Sequence, residues 1–168
     1  MGKRKGWNRF RPTKEANWAA IKLVSKDVGC KNSVYTLAGY HYCTLGELKI
    51  ARLLTSQGIE FTPDVSFGIK NDNVLRKAQL KDNTLRTART FVPDFVFNGD
   101  EYIWTEDDGT EIVIHGLECK ASNRKPDKIR LLYEQRGIHI LVLSDQEIDW
   151  YDQSGELPLK LLRRRHQC

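Results

Sequence analysis

The stretch RTFVPDFVF, residues 89–97, places one carboxylate among aromatic and β-branched residues. This composition is typical of a buried strand, and strand interiors normally exclude charge. A second strand-like stretch, EIVIHGLECKA at 111–121, carries Glu118 and Lys120. If the chain reverses between the two stretches, they pair as antiparallel neighbours and Asp94 falls opposite residues near 120. The sequence therefore predicts a charged cluster within a sheet.

Carboxylates at Asp94 and Glu118 are the oxygen ligands that a hard divalent cation prefers. Without an ion they repel each other, and one tends to stay protonated. Lys120 lies two residues from Glu118, hence on the same strand face, and it reduces this repulsion. The set suits phosphodiester hydrolysis, in which an ion activates water and a lysine positions that water or stabilises the charged phosphate. The structural alternative is a plain salt bridge.

The short motifs Pro-Asp and Glu-x-Lys recur in this chain, so their order must discriminate among them. Pro126-Asp127 follows Glu118, and Glu47-Leu48-Lys49 precedes every Pro-Asp. Asp64 lies 54 positions before Glu118, with a basic insertion between them. Asp94, only 24 positions before Glu118, lies on the adjoining strand. The order therefore selects Asp94 and sets Asp64 aside.

The segment TLGELKIARLLTSQG, residues 44–58, predicts the first helix. Thr44 suits its N-cap and Gly58 follows its end. At about 100° per residue its apolar side chains form one arc, with Glu47 near the middle. Thr44-x-x-Glu47 matches a capping box, but Glu47 could equally face a polar site beneath the helix. The two roles are compatible, and the pattern leaves both open.

The remaining segments complete an α/β pattern with a mixed sheet. The alternation in 59–69 predicts a strand, and Asn98-Gly99 a turn. KPDKIRLLYEQRG, residues 125–137, predicts a second helix. IHILVL, residues 138–143, predicts a strand buried on both faces and parallel to a neighbour. The order from 44 to 143 is helix, three strands, helix, strand.

Three regions follow from this pattern. Residues 1–43 form a basic arm with a short helix at 16–26, and residues 44–150 form the core. The basic extension 151–168 includes LPLKLLRRR, for which we expect a helix, and the polar insertion 71–88 reads as partly helical. No apolar run is long enough for a transmembrane helix, and no apolar stretch follows the basic N-terminus as in a secretory signal.

Charge and cysteine content indicate the partner and the compartment. The net charge is +5 and the pI about 9.0, with the basic residues clustered. Such clusters fit a polyphosphate partner, although a solvated basic surface is the simpler alternative. Of four cysteines, Cys30 and Cys43 flank His41 with poor zinc-site spacing. We therefore expect reduced thiols and a cytoplasmic, nucleic-acid-associated protein.

Pro93-Asp94 followed by Glu118-Cys119-Lys120, in this order of elements, resembles the PD-(D/E)xK or restriction-endonuclease-like nuclease superfamily. The resemblance covers about 100 residues and is closest in character to transposon-end, phage and homing endonucleases. It implies an αβββαβ core and Mg²⁺, with Mn²⁺ as an alternative ion. It also implies metal ligation by Asp94, Glu118 and the Cys119 backbone carbonyl, a catalytic role for Lys120, and a metal- or water-orienting role for Glu47. Gln135 is a weak further candidate.

The expected function is that of a magnesium-dependent DNA endonuclease acting on duplex or branched DNA. Because cutting both strands usually requires two active sites, a homodimer or larger assembly is expected, with no membrane partner. The basic residues expected to contact DNA are Lys3, Arg4, Lys5, Arg9, Arg11, Arg76, Lys77, Lys81, Arg86 and Arg89. Alternatives are a non-catalytic nucleic-acid-binding module of nuclease fold, or a nuclease acting on RNA or within a transposition or repair complex.

Overall fold

The computed structural model describes residues 12–25, 27–70, 88–119 and 126–164. Over these residues the chain forms three helices, α1 (Leu45–Ser56), α2 (Pro126–Arg136) and α3 (Asp145–Ser154). The strands are β1 (Tyr35–Leu37), β2 (Tyr40–Tyr42), β3 (Thr62–Pro63), β4 (Phe67–Lys70), β5 (Ala88–Phe91), β6 (Phe95–Val96), β7 (Glu101–Thr105), β8 (Glu111–Ile114), β9 (Gly116–Cys119), β10 (Ile140–Leu143) and β11 (Leu159–Arg163). The mixture of helices and sheets confirms the α/β class. None of these three helices has the length and hydrophobicity needed to cross a bilayer.

A four-stranded mixed sheet, in the order β10-β9-β6-β3, forms the centre of the protein. Strand β10 runs parallel to β9, which confirms the crossover expected from the preceding helix. Strands β9 and β6 are antiparallel, with Phe95 opposite Leu117. This register brings Asp94, just before β6, to Glu118 on β9, as the pairing of the two charged stretches predicts.

Two hydrophobic clusters cover the two faces of this sheet. The first joins α1 and α3 to Leu117 and Leu141, and the second joins α2 to Ile140 and Val142. Because successive side chains of a strand point to opposite faces, strand β10 supplies both clusters and is buried throughout. Each residue of β10 therefore packs into one cluster or the other, which explains why the strand is an unbroken apolar run.

The C-terminal segment differs from the sequence expectation. Over the described residues of LPLKLLRRR the expected helix is absent, since Leu159–Arg163 forms β11 and pairs antiparallel with β7. The helix lies earlier, at α3, where Ser144 and Glu147 form a capping box and Gly155 ends the helix at φ 83°. Because α3 takes up the preceding residues, the leucines that follow it extend the sheet formed by β7 and β8.

The N-terminal segment also differs from its expectation. Residues 16–25 contain no helix, and Trp18, Ile21 and neighbouring apolar residues pack against the second cluster in irregular conformation. Hydrogen bonds to the end of α2 hold the segment there: the Asn17 N–H donates to the Arg136 carbonyl at 2.7 Å, and the Arg136 side chain donates to the Ala19 carbonyl at 2.6 Å. The apolar spacing that suggested a helix instead reflects docking on the core. The expected helix within 71–88 lies outside the described residues.

The cysteine expectation is wrong for one pair. Cys30 and Cys43 form a disulfide, with Cα atoms 5.4 Å apart. The two are brought together because the backbone of Gly29 and Cys30 pairs with His41 of β2. The spacing of 13 residues gave no motif that would have indicated this proximity. Cys119 is buried and is not part of a disulfide.

Candidate functional site

Three carboxylates from three separate elements converge beside the central sheet. Glu47 comes from the first turn of α1, Asp64 directly follows β3, and Asp94 directly precedes β6. One oxygen of each lies within 4.8 Å of the others. Glu47 and Asp94 are buried, with 4% and 7% of their surface exposed, whereas Asp64 is half-buried. We call these three residues the carboxylate cluster.

Asp64 reaches the cluster through strand pairing that the sequence order did not reveal. Strands β3 and β6 are antiparallel, with Pro63 opposite Phe95. The dipeptides Pro63-Asp64 and Pro93-Asp94 therefore lie side by side, and the Asp64 N–H donates to the Asp94 carbonyl at 3.2 Å. Asp64 has φ 53°, a left-handed conformation that aspartate tolerates better than most residues. Setting Asp64 aside for its sequence distance is thus corrected by the structure.

Glu47 combines parts of both predicted roles. The Glu47 N–H donates to Thr44 Oγ1 at 3.1 Å, which caps the helix as expected. The Glu47 carboxylate does not close a full capping box, because Oε2 accepts from the Thr44 hydroxyl at 2.9 Å rather than from the backbone. The same carboxylate belongs to the cluster with Asp64 and Asp94. The helix cap therefore fixes the rotamer that presents Glu47 to Asp64 and Asp94.

Asp94 and Glu118 are linked in both directions across β6 and β9. The Asp94 N–H donates to Glu118 Oε1 at 3.0 Å. The Cys119 N–H donates to Asp94 Oδ2 at 2.8 Å. Glu118 is 4% exposed and lies beside the cluster, in contact with Asp94. Strand pairing thus orients Asp94 from two sides and leaves little freedom in its side chain.

Burial and nearby negative charge raise the pKa values of Glu47, Glu118 and Cys119. Burial raises the pKa of Glu47 to about 7, and the charge of Asp94 adds to the shift. Burial also raises the pKa of Glu118 far above its usual range, and the side-chain hydrogen bond and negative charge of the Asp94 carboxylate raise it further. The pKa of the Cys119 thiol is raised by burial and then by Asp94. Several carboxylates therefore share a region too dry and too negative for all of them to ionise.

Aromatic side chains support the cluster from the β1–β2 hairpin. The Tyr40 hydroxyl donates to Asp64 Oδ2, and burial raises the pKa of Tyr40 further above its usual value. Tyr40 packs on Tyr42 with ring centroids 5.0 Å apart, and Tyr42 stacks on Phe95. Tyr40 therefore orients Asp64, a role for which the sequence alone gave no signal.

The other predicted site residues have different outcomes. The Gln135 side chain accepts from the Lys70 N–H and donates to the Lys70 carbonyl, and so ties α2 to β4. The backbone of Arg89 pairs with Ile69 in the β4–β5 ladder. Lys120 lies outside the described residues, and so do the basic residues of 1–11 and 71–87. The expected catalytic lysine and DNA contacts remain predictions.

The donor set fits a hard divalent cation. Each of the three side chains offers carboxylate oxygen, the ligand type that Mg²⁺, Mn²⁺ and Ca²⁺ prefer. A cation at this position would offset the repulsion between the carboxylates that favours the protonated form of Glu47. Comparisons with protein-family models, with curated proteins and with solved structures gave no match.

Proposed function

We propose that this protein is a metal-dependent DNA endonuclease with a restriction-endonuclease-like core. The observation that carries the proposal is the convergence of Asp94 with Glu118 and Glu47 at the meeting point of β6, β9 and α1. Two neighbouring strands and the first core helix supply these residues, and the second core helix leads into a parallel strand. This element order and residue order support the resemblance found in the sequence.

The residues divide into binding and orienting roles. Glu47, Asp64 and Asp94 would hold a divalent cation, with Glu118 as a neighbouring acceptor beside Asp94. The bound ion would lower the pKa of a coordinated water and polarise a phosphoryl oxygen. Thr44 and Tyr40 hold the carboxylates of Glu47 and Asp64 in place. Lys120, directly after Cys119, would stabilise the negative charge that develops on the phosphate.

Charge supports a nucleic-acid substrate rather than a small phosphoester. The chain carries 27 lysine and arginine residues against 22 acidic ones, and several acidic residues are withdrawn into the interior. The exposed surface is therefore more basic than the net charge of +5 suggests. Phosphate contacts by the basic N-terminal arm and the 71–88 insertion would make DNA binding salt-dependent.

The test is cleavage of supercoiled plasmid and branched DNA with Mg²⁺. Asp94→Asn keeps the size of the side chain and removes its charge, so we expect cleavage to fall by at least about a hundredfold. Lys120→Met should cause a similar loss without reducing metal affinity. Lys49→Met is the matched control. The Lys49 cation pairs with Asp149 on α3, so this variant should retain cleavage. Equal cutting by the wild type, Asp94→Asn and Lys120→Met would refute the assignment.

The same experiment separates the alternatives from one another. DNA binding that does not depend on divalent metal, without cleavage by the wild type or any variant, would identify a non-catalytic binding module. Preferential cutting of RNA under the same conditions would identify a ribonuclease, since the 2′-hydroxyl distinguishes the two substrates.

A further inference from the structure

The Cys30–Cys43 disulfide lies at the junction of the β1–β2 hairpin and helix α1. Cys43 directly precedes Thr44, the N-cap of α1. Cys30 pairs with the other side of the hairpin, where its N–H donates to the His41 carbonyl at 2.9 Å. The covalent bond therefore closes the loop that contains β1 and β2 and fixes it against the start of the helix.

Both sides of this junction contact the carboxylate cluster. Tyr40, on β2 within the closed loop, donates to Asp64. Thr44, the residue after Cys43, donates to the carboxylate of Glu47 and accepts from its N–H. Two of the three cluster carboxylates are thus oriented by Tyr40, within the loop that the disulfide closes, and by Thr44, directly after that loop. Neither cysteine belongs to the cluster.

The disulfide is accessible from solvent. Cys43 is exposed and Cys30 is half-buried, whereas Cys119, which forms no disulfide, is buried. An exposed disulfide is open to attack by thiolates, and exposed disulfides are typically the labile or regulatory ones. Thiols would therefore reduce this pair, and a low-molecular-weight disulfide such as oxidised glutathione would re-form it by the reverse exchange.

We propose that the Cys30–Cys43 pair is a redox switch of the carboxylate site. In the oxidised form the bond holds β2 and the first turn of α1 in the arrangement that orients Asp64 and Glu47. In the reduced form the junction opens more often, and both carboxylates lose their fixed positions for part of the time. The coupling is a property of the fold, and only its consequence for cleavage rests on the proposed function.

The chemistry is thiol–disulfide exchange with a thiol reductant such as glutathione. A thiolate attacks the exposed sulfur of Cys43, the S–S bond breaks, and Cys30 leaves as a thiolate. A second thiol resolves the mixed disulfide. In sum, the protein disulfide gains two electrons and two protons, and two reductant thiols are oxidised to one disulfide.

The deciding measurement is amide hydrogen exchange on the metal-free protein, oxidised and then reduced in glutathione buffer, with thiol alkylation to count reduced cysteines. Closing a loop of this size restricts its open ensemble by up to about a hundredfold, so protection at His41, Glu47 and Leu48 should fall by about tenfold on reduction. Protection at Leu117 and Leu141, in the central sheet, should not change. Unchanged protection at the hairpin, or failure of glutathione to reduce the pair, would overturn the switch.

The second measurement is DNA cleavage with Mg²⁺ by the same two forms. We expect the reduced protein to cut several-fold more slowly, and the Cys30→Ser/Cys43→Ser double variant to resemble it and to ignore the redox buffer. Equal rates for the oxidised and reduced forms would overturn regulation of cleavage. If neither form cuts, the proposed function fails, whereas the exchange data still decide the coupling. Should the double variant not fold, the reduced wild type provides the same comparison.

Discussion

Glu47 should make the metal-free protein less stable as the pH rises. Its ordinary pKa is 4.5, and burial together with Asp94 raises the folded-state pKa to about 7. The folded protein therefore keeps a proton that the unfolded chain has released. This contribution to stability is fully present below the unfolded pKa and is lost as the pH rises through the folded pKa.

The magnitude follows from the shift. At about 1.4 kcal/mol per pKa unit, the loss between about pH 4.5 and about pH 7 is at most about 3 to 4 kcal/mol. Glu118, whose pKa burial raises further, extends the loss to higher pH. A bound divalent cation would favour the ionised carboxylates and restore stability, because it binds the folded state.

The assay compares the wild type with Glu47→Gln. Each is unfolded with urea in EDTA across this pH range, and unfolding is monitored by tryptophan fluorescence. The amide oxygen of glutamine can still accept from Thr44, but it does not titrate. All other titratable groups are the same in both proteins, so the difference between the two pH slopes isolates Glu47. We expect the variant to lose less stability as the pH rises, and Mg²⁺ at about pH 8 to stabilise the wild type more. Equal slopes with and without Glu47 would refute the electrostatic account of the cluster.

Two further outcomes follow from the packing around the site. Gly116→Ala should destabilise the protein by about 3 kcal/mol or more in urea unfolding, because the new Cβ would lie 2.2 Å from the Phe95 carbonyl oxygen. Gly68→Ala is the control, because Gly68 also lies in a strand and its new Cβ would meet nothing within 4 Å. Equal losses of stability in the two variants would contradict the register of β6 and β9. In a double-mutant cycle, Tyr40→Phe and Asp64→Asn should show a coupling energy of about 1 kcal/mol, and additive effects would mean that the Tyr40 hydroxyl does not hold Asp64.

Local patterns were sufficient for much of the core. The helix at 44–58 was predicted because its cap, apolar arc and terminal glycine all lie within one short segment, and α1 confirms it. The parallel strand β10 followed from an apolar run preceded by a helix. The approach of Asp94 to Glu118 could be predicted because the two stretches are near neighbours in sequence and reverse direction between them. Each of these inferences depends on short-range periodicity and turn residues.

The errors arose where distant segments compete for the same pairing surface. LPLKLLRRR has an amphipathic spacing, but the open edge of β7 stabilises it as a strand. ANWAAIKLVSK has spaced apolar residues, but contacts with α2 and the second cluster stabilise an irregular path. Propensity differences of a few tenths of a kcal/mol per residue are small beside the burial of several large side chains.

The sequence by itself determined the α/β class, the first core helix and the meeting of Asp94 with Glu118. Only the tertiary structure decided that Asp64 joins Glu47 and Asp94, that Tyr40 orients Asp64, and that Cys30 bonds to Cys43. The physical reason is the range of the interactions involved. Periodicity reports which face of a segment is buried, whereas the partner across a strand pair or a hairpin is chosen by the free energy of the whole packed core. For that reason two identical Pro-Asp dipeptides, ranked apart by sequence distance, lie side by side in the folded protein.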